Sequence, residues 1–337
     1  MEGTWNAWMQ LFGGLALFLY GMDSLCRAVE QGAGKKLRKL LARCTANPLA
    51  GLLTGAVVTA VLQSSSAVTV MVIAFLAAGL LELRQAVPVV FGANIGTTLT
   101  AQLLAFRAEQ GRWALLFAGV VLCFFFKGWK GRCLGEAVFS FGLLFEGIAV
   151  MNAAMLPLLS SPQLDRWLFT ARNTPWQGFA AGLCLTLAVQ SSSAVIAMLQ
   201  GLAAQPGPDG VHSLLGLAGA IPVLLGANVG TTITAILAAI GQGRDAKRLA
   251  AAHALFNLSG AAAGLALLPQ FVRLVQQLSP AGPECSILAR QIANAHTLFN
   301  VCCALVWLPL TGQMVRLVET LFPGISREKP TEVEKDG

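Results

Sequence analysis

Polar positions along this chain punctuate apolar runs that have the length of membrane spans. Trp5–Leu25, Leu134–Leu159, Leu249–Leu268 and Ile287–Leu310 each match the roughly 20 apolar residues needed to cross a hydrocarbon layer. Glu136 and Glu146 are the only charges in the second run. The first run is read as a transmembrane helix and not as a cleavable leader, because no basic segment precedes its long apolar stretch. Pro48–Leu81 is 34 residues without a charge. As a single helix it would measure about 51 Å, too long for a hydrocarbon core of roughly 30 Å. It must break, and Gln63-Ser64-Ser65-Ser66 is the polar place to do so. The first arm, Pro48–Gln63, would be about 24 Å long, so a re-entrant hairpin ending near the midplane is predicted.

The pattern then repeats. Gln63-Ser64-Ser65-Ser66-Ala67-Val68 returns as Gln190-Ser191-Ser192-Ser193-Ala194-Val195, 127 residues on, and Pro48/Pro175, Gly55/Gly182 and Thr59/Thr186 share that offset. Gly92-Ala93-Asn94-Ile95-Gly96-Thr97-Thr98-Leu99-Thr100-Ala101 returns as Gly226-Ala227-Asn228-Val229-Gly230-Thr231-Thr232-Ile233-Thr234-Ala235, 134 residues on, with Pro88/Pro222 at the same offset. Two unrelated motifs in one order, at nearly one separation, mark an internal duplication. The first unit, residues 1–127, reads as a helix near Trp5–Arg27, a basic amphipathic stretch at Lys35–Arg43, the hairpin 48–81, a span 86–106 interrupted at its Gly-Ala-Asn segment, and a span at Trp113–Phe126. The second, residues 134–268, repeats the plan with a hairpin 175–204 and an interrupted span 214–240. A C-terminal helix 285–318 and a polar tail 323–337 follow. A hairpin that enters and leaves on one face gives each unit an odd number of crossings, so the second unit is inverted relative to the first, a construction common among secondary transporters. Under this topology 17 Lys and Arg fall on one side and 6 on the other. The richer side is cytoplasmic, which puts the N-terminus outside and the C-terminus inside.

Composition agrees with a polytopic all-α membrane protein. Hydrophobic residues make up 55% of the 337, charged residues 12%, and the mean hydropathy is +0.67. An ordinary soluble domain carries about 25% charged residues to coat its surface. The net charge of +7 is that of cytoplasmic loops, and no basic stripe on a polar domain points to nucleic acid. The eight cysteines show no CxxC spacing and mostly lie in apolar stretches, so neither a disulfide framework nor a zinc site is expected.

The repeated motifs carry the candidate chemistry. A helix starting at Ser64 or Ser191 at membrane depth would present free N–H groups, hydroxyls and a partial positive charge, an arrangement that binds anions. Two such tips from inverted units can face one anion. The glycines flanking Asn94 and Asn228 suggest unwinding that exposes carbonyl oxygens. Asn94, Thr97, Thr98 and Thr100, with Asn228, Thr231, Thr232 and Thr234, add the side-chain oxygens a hard cation wants. The alternative for the serines is packing and hydrogen bonding, and for the glycines a close helix contact with Thr satisfying its own backbone. No Lys or Arg lies in either motif, so a bound anion would be offset by cations from solution. Neither QSSS sits in a GxSxG elbow, so serine nucleophile chemistry is not expected and no enzyme is read here. Asp23 and Glu146 are acids inside apolar helices and candidate cation or proton sites. His253 and His296, each with Asn four residues on, read as packing and interhelical hydrogen bonds.

With paired QSSS motifs each followed by GAN-x-GTT, the chain resembles the type II sodium/phosphate cotransporter family in its bacterial branch, over about Gly14 to Leu310. His253-Ala254-Leu255-Phe256-Asn257 and His296-Thr297-Leu298-Phe299-Asn300 look like that family's His-x-x-Phe-Asn helices. The resemblance implies sodium-driven movement of inorganic phosphate across a bacterial cytoplasmic (inner) membrane, with no cofactor beyond sodium as co-substrate. It places phosphate and sodium at Gln63, Ser64, Ser65, Ser66, Gln190, Ser191, Ser192 and Ser193, with the adjoining Asn and Thr residues. Many bacterial relatives carry a cytoplasmic PhoU-like domain after the last helix. Only a short tail stands there in this sequence, so any such regulation is expected from a separate PhoU-like protein. Two other readings remain: a transporter of this architecture for another anion or coupling ion, and a non-transporting membrane phosphate sensor or scaffold.

Overall fold

The computed structural model describes residues 2–43, 47–105, 111–126, 128–159, 174–207 and 212–324. Helices account for nearly all regular structure there, beside one isolated bridge between Pro206 and Ser213. The first is α1 (Glu2–Arg43), which absorbs both the expected span and the basic stretch after it into one helix of 42 residues. It packs along α6 (Trp129–Leu159), and α5 (Arg112–Phe125) covers another side of α6. Phe18, Leu144, Phe145 and Ile148 form the apolar core of this group.

The second group holds the repeated motifs. Helix α2 (Pro48–Leu62) starts where the Asn47 carboxamide oxygen accepts the Ala50 N–H at 2.8 Å, with Pro48 as its first residue, where a missing N–H costs nothing. Helix α3 (Ser65–Ala77) follows after the break at Gln63 and Ser64. It closes on Gly79, whose positive φ of 70° lets the Leu80 N–H reach Phe75 O at 2.9 Å. A capping box opens α4 (Leu83–Leu104), the Gln85 side chain accepting the Glu82 N–H at 2.9 Å. The counterparts are α7 (Pro175–Val189), α8 (Ser192–Ala203), α9 (Gly216–Gly230) and α10 (Thr232–Ala239). The helices α11 (Arg244–Ala266), α12 (Leu268–Gln277), α13 (Glu284–Trp307) and α14 (Thr311–Leu321) complete the chain. One apolar core, running from Val58 and Phe91 through Ile221 and Leu224 to Phe256, Ile292 and Met314, joins them.

Among the described residues, four helices are long and apolar enough to cross a membrane: α4, α6 over Trp129–Met151, the α9–α10 run Gly216–Ala239, and α11. The pair α13 and α14 makes a fifth if counted as one bent span. The four arms α2, α3, α7 and α8 have 15, 13, 15 and 12 residues. At about 18–22 Å each, none traverses a core of roughly 30 Å.

Two expectations are corrected. The span 86–106 is not interrupted, because α4 runs unbroken through Asn94, Thr97, Thr98 and Thr100. The span 214–240 is divided as expected, at Thr231, though that residue keeps helical torsions (φ −60°, ψ −25°) and its hydrogen bond to Ala227 O at 3.1 Å. The glycines serve helix contact instead of unwinding. A Cβ on Gly92 would lie 1.9 Å from Leu52 O, and one on Gly226 1.9 Å from Phe179 O. Reciprocally, a Cβ on Gly55 would meet Val89 O at 2.0 Å and one on Gly182 would meet Val223 O at 1.9 Å. Only glycine lets α2 approach α4, and α7 approach α9, so closely. The C-terminal helix 285–318 is also not one helix, since α13 and α14 meet at 84°. Pro309 lies in the bend and has no N–H to continue the ladder. Beyond α14, buried Arg248 donates to Phe322 O at 2.9 Å and Gly324 O at 2.7 Å, seating that end on α11. The rest of the expected polar tail, residues 325–337, lies outside the described residues.

Candidate functional site

The two QSSS segments fold alike. Gln63 has φ 55°, ψ 20° and Gln190 φ 56°, ψ 23°, and each donates its backbone N–H at 2.7 Å to the threonine four residues back, Thr59 or Thr186. These are the only non-glycine residues with positive φ among those described. The next residues, Ser64 (φ −144°, ψ 101°) and Ser191 (φ −142°, ψ 104°), are extended N-caps. Their hydroxyls accept the N–H groups of Ala67 at 3.1 Å and Ala194 at 3.3 Å. Each break is therefore a left-handed cap followed by a serine cap, which ends one helix and starts the next within two residues. Ser65 and Ser192 open α3 and α8 while 7% and 5% exposed, so the first residue of each helix is buried. Ser64, Ser66, Ser191 and Ser193 are partly buried, as is Gln63, and Gln190 is exposed.

The fold brings the motifs together across the two units. The arm α3 packs on α10 and α11, and α8 packs on α4 and α13. The Gln200 amide on α8 donates to Ala101 O of α4 at 3.1 Å and Ala289 O of α13 at 2.9 Å. Gln63 joins its own unit's Asn/Thr segment, for its Oε1 accepts from the Thr100 hydroxyl at 2.7 Å while its amide nitrogen holds Ala60 O.

Asn94, Thr97, Thr98, Thr100, Asn228, Thr231 and Thr232 are buried, and Thr234 is partly buried. The hydroxyls of Thr97, Thr98, Thr231, Thr232 and Thr234 donate to carbonyls three or four residues back along α4 or the α9–α10 run, at 2.8–3.1 Å. Their oxygen lone pairs stay available as acceptors. Asn94 accepts from His253 and Asn228 from His296, two contacts that no spacing in the sequence announces. Thr59 and Thr186, wholly buried with hydroxyls that have no partner among the described residues, are further polar groups directly behind the tips. Their only signal in the sequence is their shared repeat offset. The two acids expected inside apolar helices are both paired. Asp23 meets Arg27 on an exposed face of α1, and Glu146 meets Arg112 at 2.7 Å, tying α6 to the start of α5.

Comparison with known proteins agrees with this duplicated plan. The family model described as Na+/Pi-cotransporter matches twice, over residues 17–153 and 151–281. A Bacillus subtilis (strain 168) protein named Uncharacterized protein YqeW is 34% identical over 267 residues, 79% of this chain and 84% of that one. The Escherichia coli (strain K12) Putative inorganic phosphate export protein YjbB is 26% identical over 269 residues. That match takes in 80% of this chain but 48% of the relative, so the chain spans about half of that protein's length. The Homo sapiens Sodium-dependent phosphate transport protein 2B is 34% identical over 121 residues, 35% of this chain and 18% of that one. No solved structure matches. With both copies of its repeat matched, the chain belongs to the Na+/Pi-cotransporter family, a family of membrane phosphate transporters.

Proposed function

We propose that this chain is a secondary transporter that carries inorganic phosphate with sodium by alternating access, its two units inverted in the cytoplasmic membrane around a site at the paired QSSS tips. The observation that carries this reading is the shared strained geometry of the tips. A non-glycine residue in left-handed backbone costs about 1 kcal/mol or more, and strain of this kind collects at functional sites. It occurs here at both copies of one motif, each beside a buried helix start. Gln63 to Ser66 and Gln190 to Ser193 would take the phosphate through hydroxyls, amides and the positive ends of α3 and α8. Asn94, Thr97, Thr98, Thr100, Asn228, Thr231, Thr232 and Thr234 would supply sodium with side-chain oxygens. Arms too short to span support re-entrant hairpins, and the bias of basic residues supports an outside N-terminus and an inside C-terminus.

Direction has a second reading. Bacterial relatives matched over 80% of this chain are named putative phosphate export proteins. The same carrier would run outward wherever internal phosphate outweighs the inward drive, which is about 2.3 kcal/mol per net charge per 100 mV.

The test is radiolabelled phosphate flux in proteoliposomes, with sodium gradients imposed in either direction and then with choline or potassium in place of sodium. Flux that follows the sodium gradient and collapses in both Ser65→Ala and Ser192→Ala is the expected result. Equal flux in choline would overturn sodium coupling, and no phosphate flux from folded protein would overturn transport itself.

A further inference from the structure

Two helices outside the hairpins carry one short pattern. Ala252-His253-Ala254-Leu255-Phe256-Asn257 on α11 and Ala295-His296-Thr297-Leu298-Phe299-Asn300 on α13 share Ala-His-x-Leu-Phe-Asn. Each histidine reaches the asparagine of one GAN-x-GTT segment. His253 Nε2 lies 3.1 Å from Asn94 Oδ1, and His296 Nε2 lies 3.2 Å from Asn228 Oδ1. Both imidazoles are 1% exposed, and the two asparagines are 6% and 5% exposed. Phe256 stacks on Phe91 with centroids 4.6 Å apart, fixing α11 against α4 near the first pair.

Hydrogen bonding assigns the tautomer. Both Nδ1 atoms are buried and without a partner among the described residues. A proton there would be a buried donor with nothing to receive it, so the proton belongs on Nε2, where the asparagine oxygen accepts it. The carboxamide orientation is thereby set from outside the segment. Asn228 is held at both ends, for its Nδ2 also donates to Leu224 O at 3.0 Å. Asn94 Nδ2 has no partner, so among the described contacts its carboxamide is oriented by His253 alone.

We infer that His253 and His296 are positioning residues of the transport site, neutral Nε2–H donors that fix the carboxamides of Asn94 and Asn228, with His253 the more consequential. This rests on reading Asn94 and Asn228 as sodium ligands. A carboxamide that turns freely offers N–H groups as readily as oxygen, and an N–H repels a cation. Fixing the rotamer is therefore worth affinity for the ion more than speed of turnover.

The experiment uses His253→Met, His253→Gln and the same pair at His296, in the full chain reconstituted in proteoliposomes. Methionine keeps bulk without the donor, and glutamine can place an N–H near the position of imidazole Nε2. Phosphate flux is measured against sodium concentration. His253→Met is expected to raise the sodium concentration for half-maximal rate about tenfold, the equivalent of one hydrogen bond, with the maximal rate within about twofold. His296→Met is expected to give about a threefold rise, because Asn228 keeps its bond to Leu224. Glutamine should restore most of either loss, and His253→Met should add nothing in an Asn94→Ala background. An unchanged sodium dependence in His253→Met, failure of the glutamine rescue, or additive losses would overturn the proposal. A second readout is independent of transport. The chain has 3 histidines, so selective nitrogen-15 labelling with His212→Asn leaves the two imidazoles of interest. Protonated Nε2 in both, altered by Asn94→Ala and Asn228→Ala respectively, supports positioning even if the wild type proves to move phosphate without sodium. Protonated Nδ1 overturns it however the flux measurements come out.

Discussion

Gln63 and Gln190 hold backbone that glycine would fill more cheaply, which separates what they do for the fold from what they do for the site. Their φ values of 55° and 56° place them in the left-handed region. Replacing either by glycine removes a strain of about 1 kcal/mol and keeps the N–H bond to Thr59 or Thr186. The side chain is a different matter. At the first tip the Gln63 carboxamide bridges Ala60 O to the Thr100 hydroxyl and so couples the hairpin to α4. Gln190→Gly is thus expected to leave the melting temperature in detergent unchanged or slightly higher, and Gln63→Gly to leave it about unchanged, relieved strain offsetting the two lost side-chain bonds, while phosphate flux falls at least about tenfold in both. A drop in melting temperature that tracks the loss of flux would assign both residues to stability alone. The capping serines behave oppositely. Ser64→Ala and Ser191→Ala each remove a hydroxyl that accepts a first-turn N–H and should cost about 1 kcal/mol of stability.

At the scale of elements, the two glycine crossings decide the fold around the tips. The carbonyls of Leu52 and Phe179 occupy the space that a Cβ on Gly92 or Gly226 would need. The obstructing atoms are backbone, so no side chain can rotate away. Gly92→Ala and Gly226→Ala should each destabilise by about 1–3 kcal/mol, read as a lowered thermal midpoint of purified protein. Equal effects are expected at the two sites, because the crossings of α2 on α4 and of α7 on α9 have the same contacts. The same crossings explain what the sequence could and could not reveal. The break at Gln63 was legible, because a charge-free run of 34 residues cannot be one span and its polar residues sit at one place, and the break at Gln190 followed from the repeat. The unbroken course of α4 was not. Glycine beside asparagine permits either unwinding or close approach, and the choice lies with Leu52 and Ala56, about 40 residues earlier in the chain. The bend at Pro309 could have been read from proline alone. The QSSS tips were legible as a candidate site, whereas the pairing of His253 with Asn94 spans 159 residues and has no local pattern.

At the scale of the whole molecule, the proposed mechanism depends on the second hairpin being the first one turned over. Leu80 ends the first hairpin, and Pro206 follows the second. Both are exposed, Leu80 at 62%. In the proposed topology Leu80 faces the cytoplasm beside Arg84, and Pro206 faces outward. If the units were instead parallel, both hairpins would open on one side. Single cysteines at Leu80 and Pro206, introduced after replacing the chain's 8 native cysteines, distinguish these arrangements. A membrane-impermeant thiol reagent added to intact cells should modify Pro206→Cys and spare Leu80→Cys, and inside-out vesicles should reverse the result. Modification of both from one side would remove the inverted arrangement and, with it, the physical reason for two positive helix starts to converge on one anion from opposite faces. The matched torsions of the tips and the double family match would then describe a duplication whose copies lie side by side. Such a chain would have to open a path to phosphate by some motion other than rocking one half against the other.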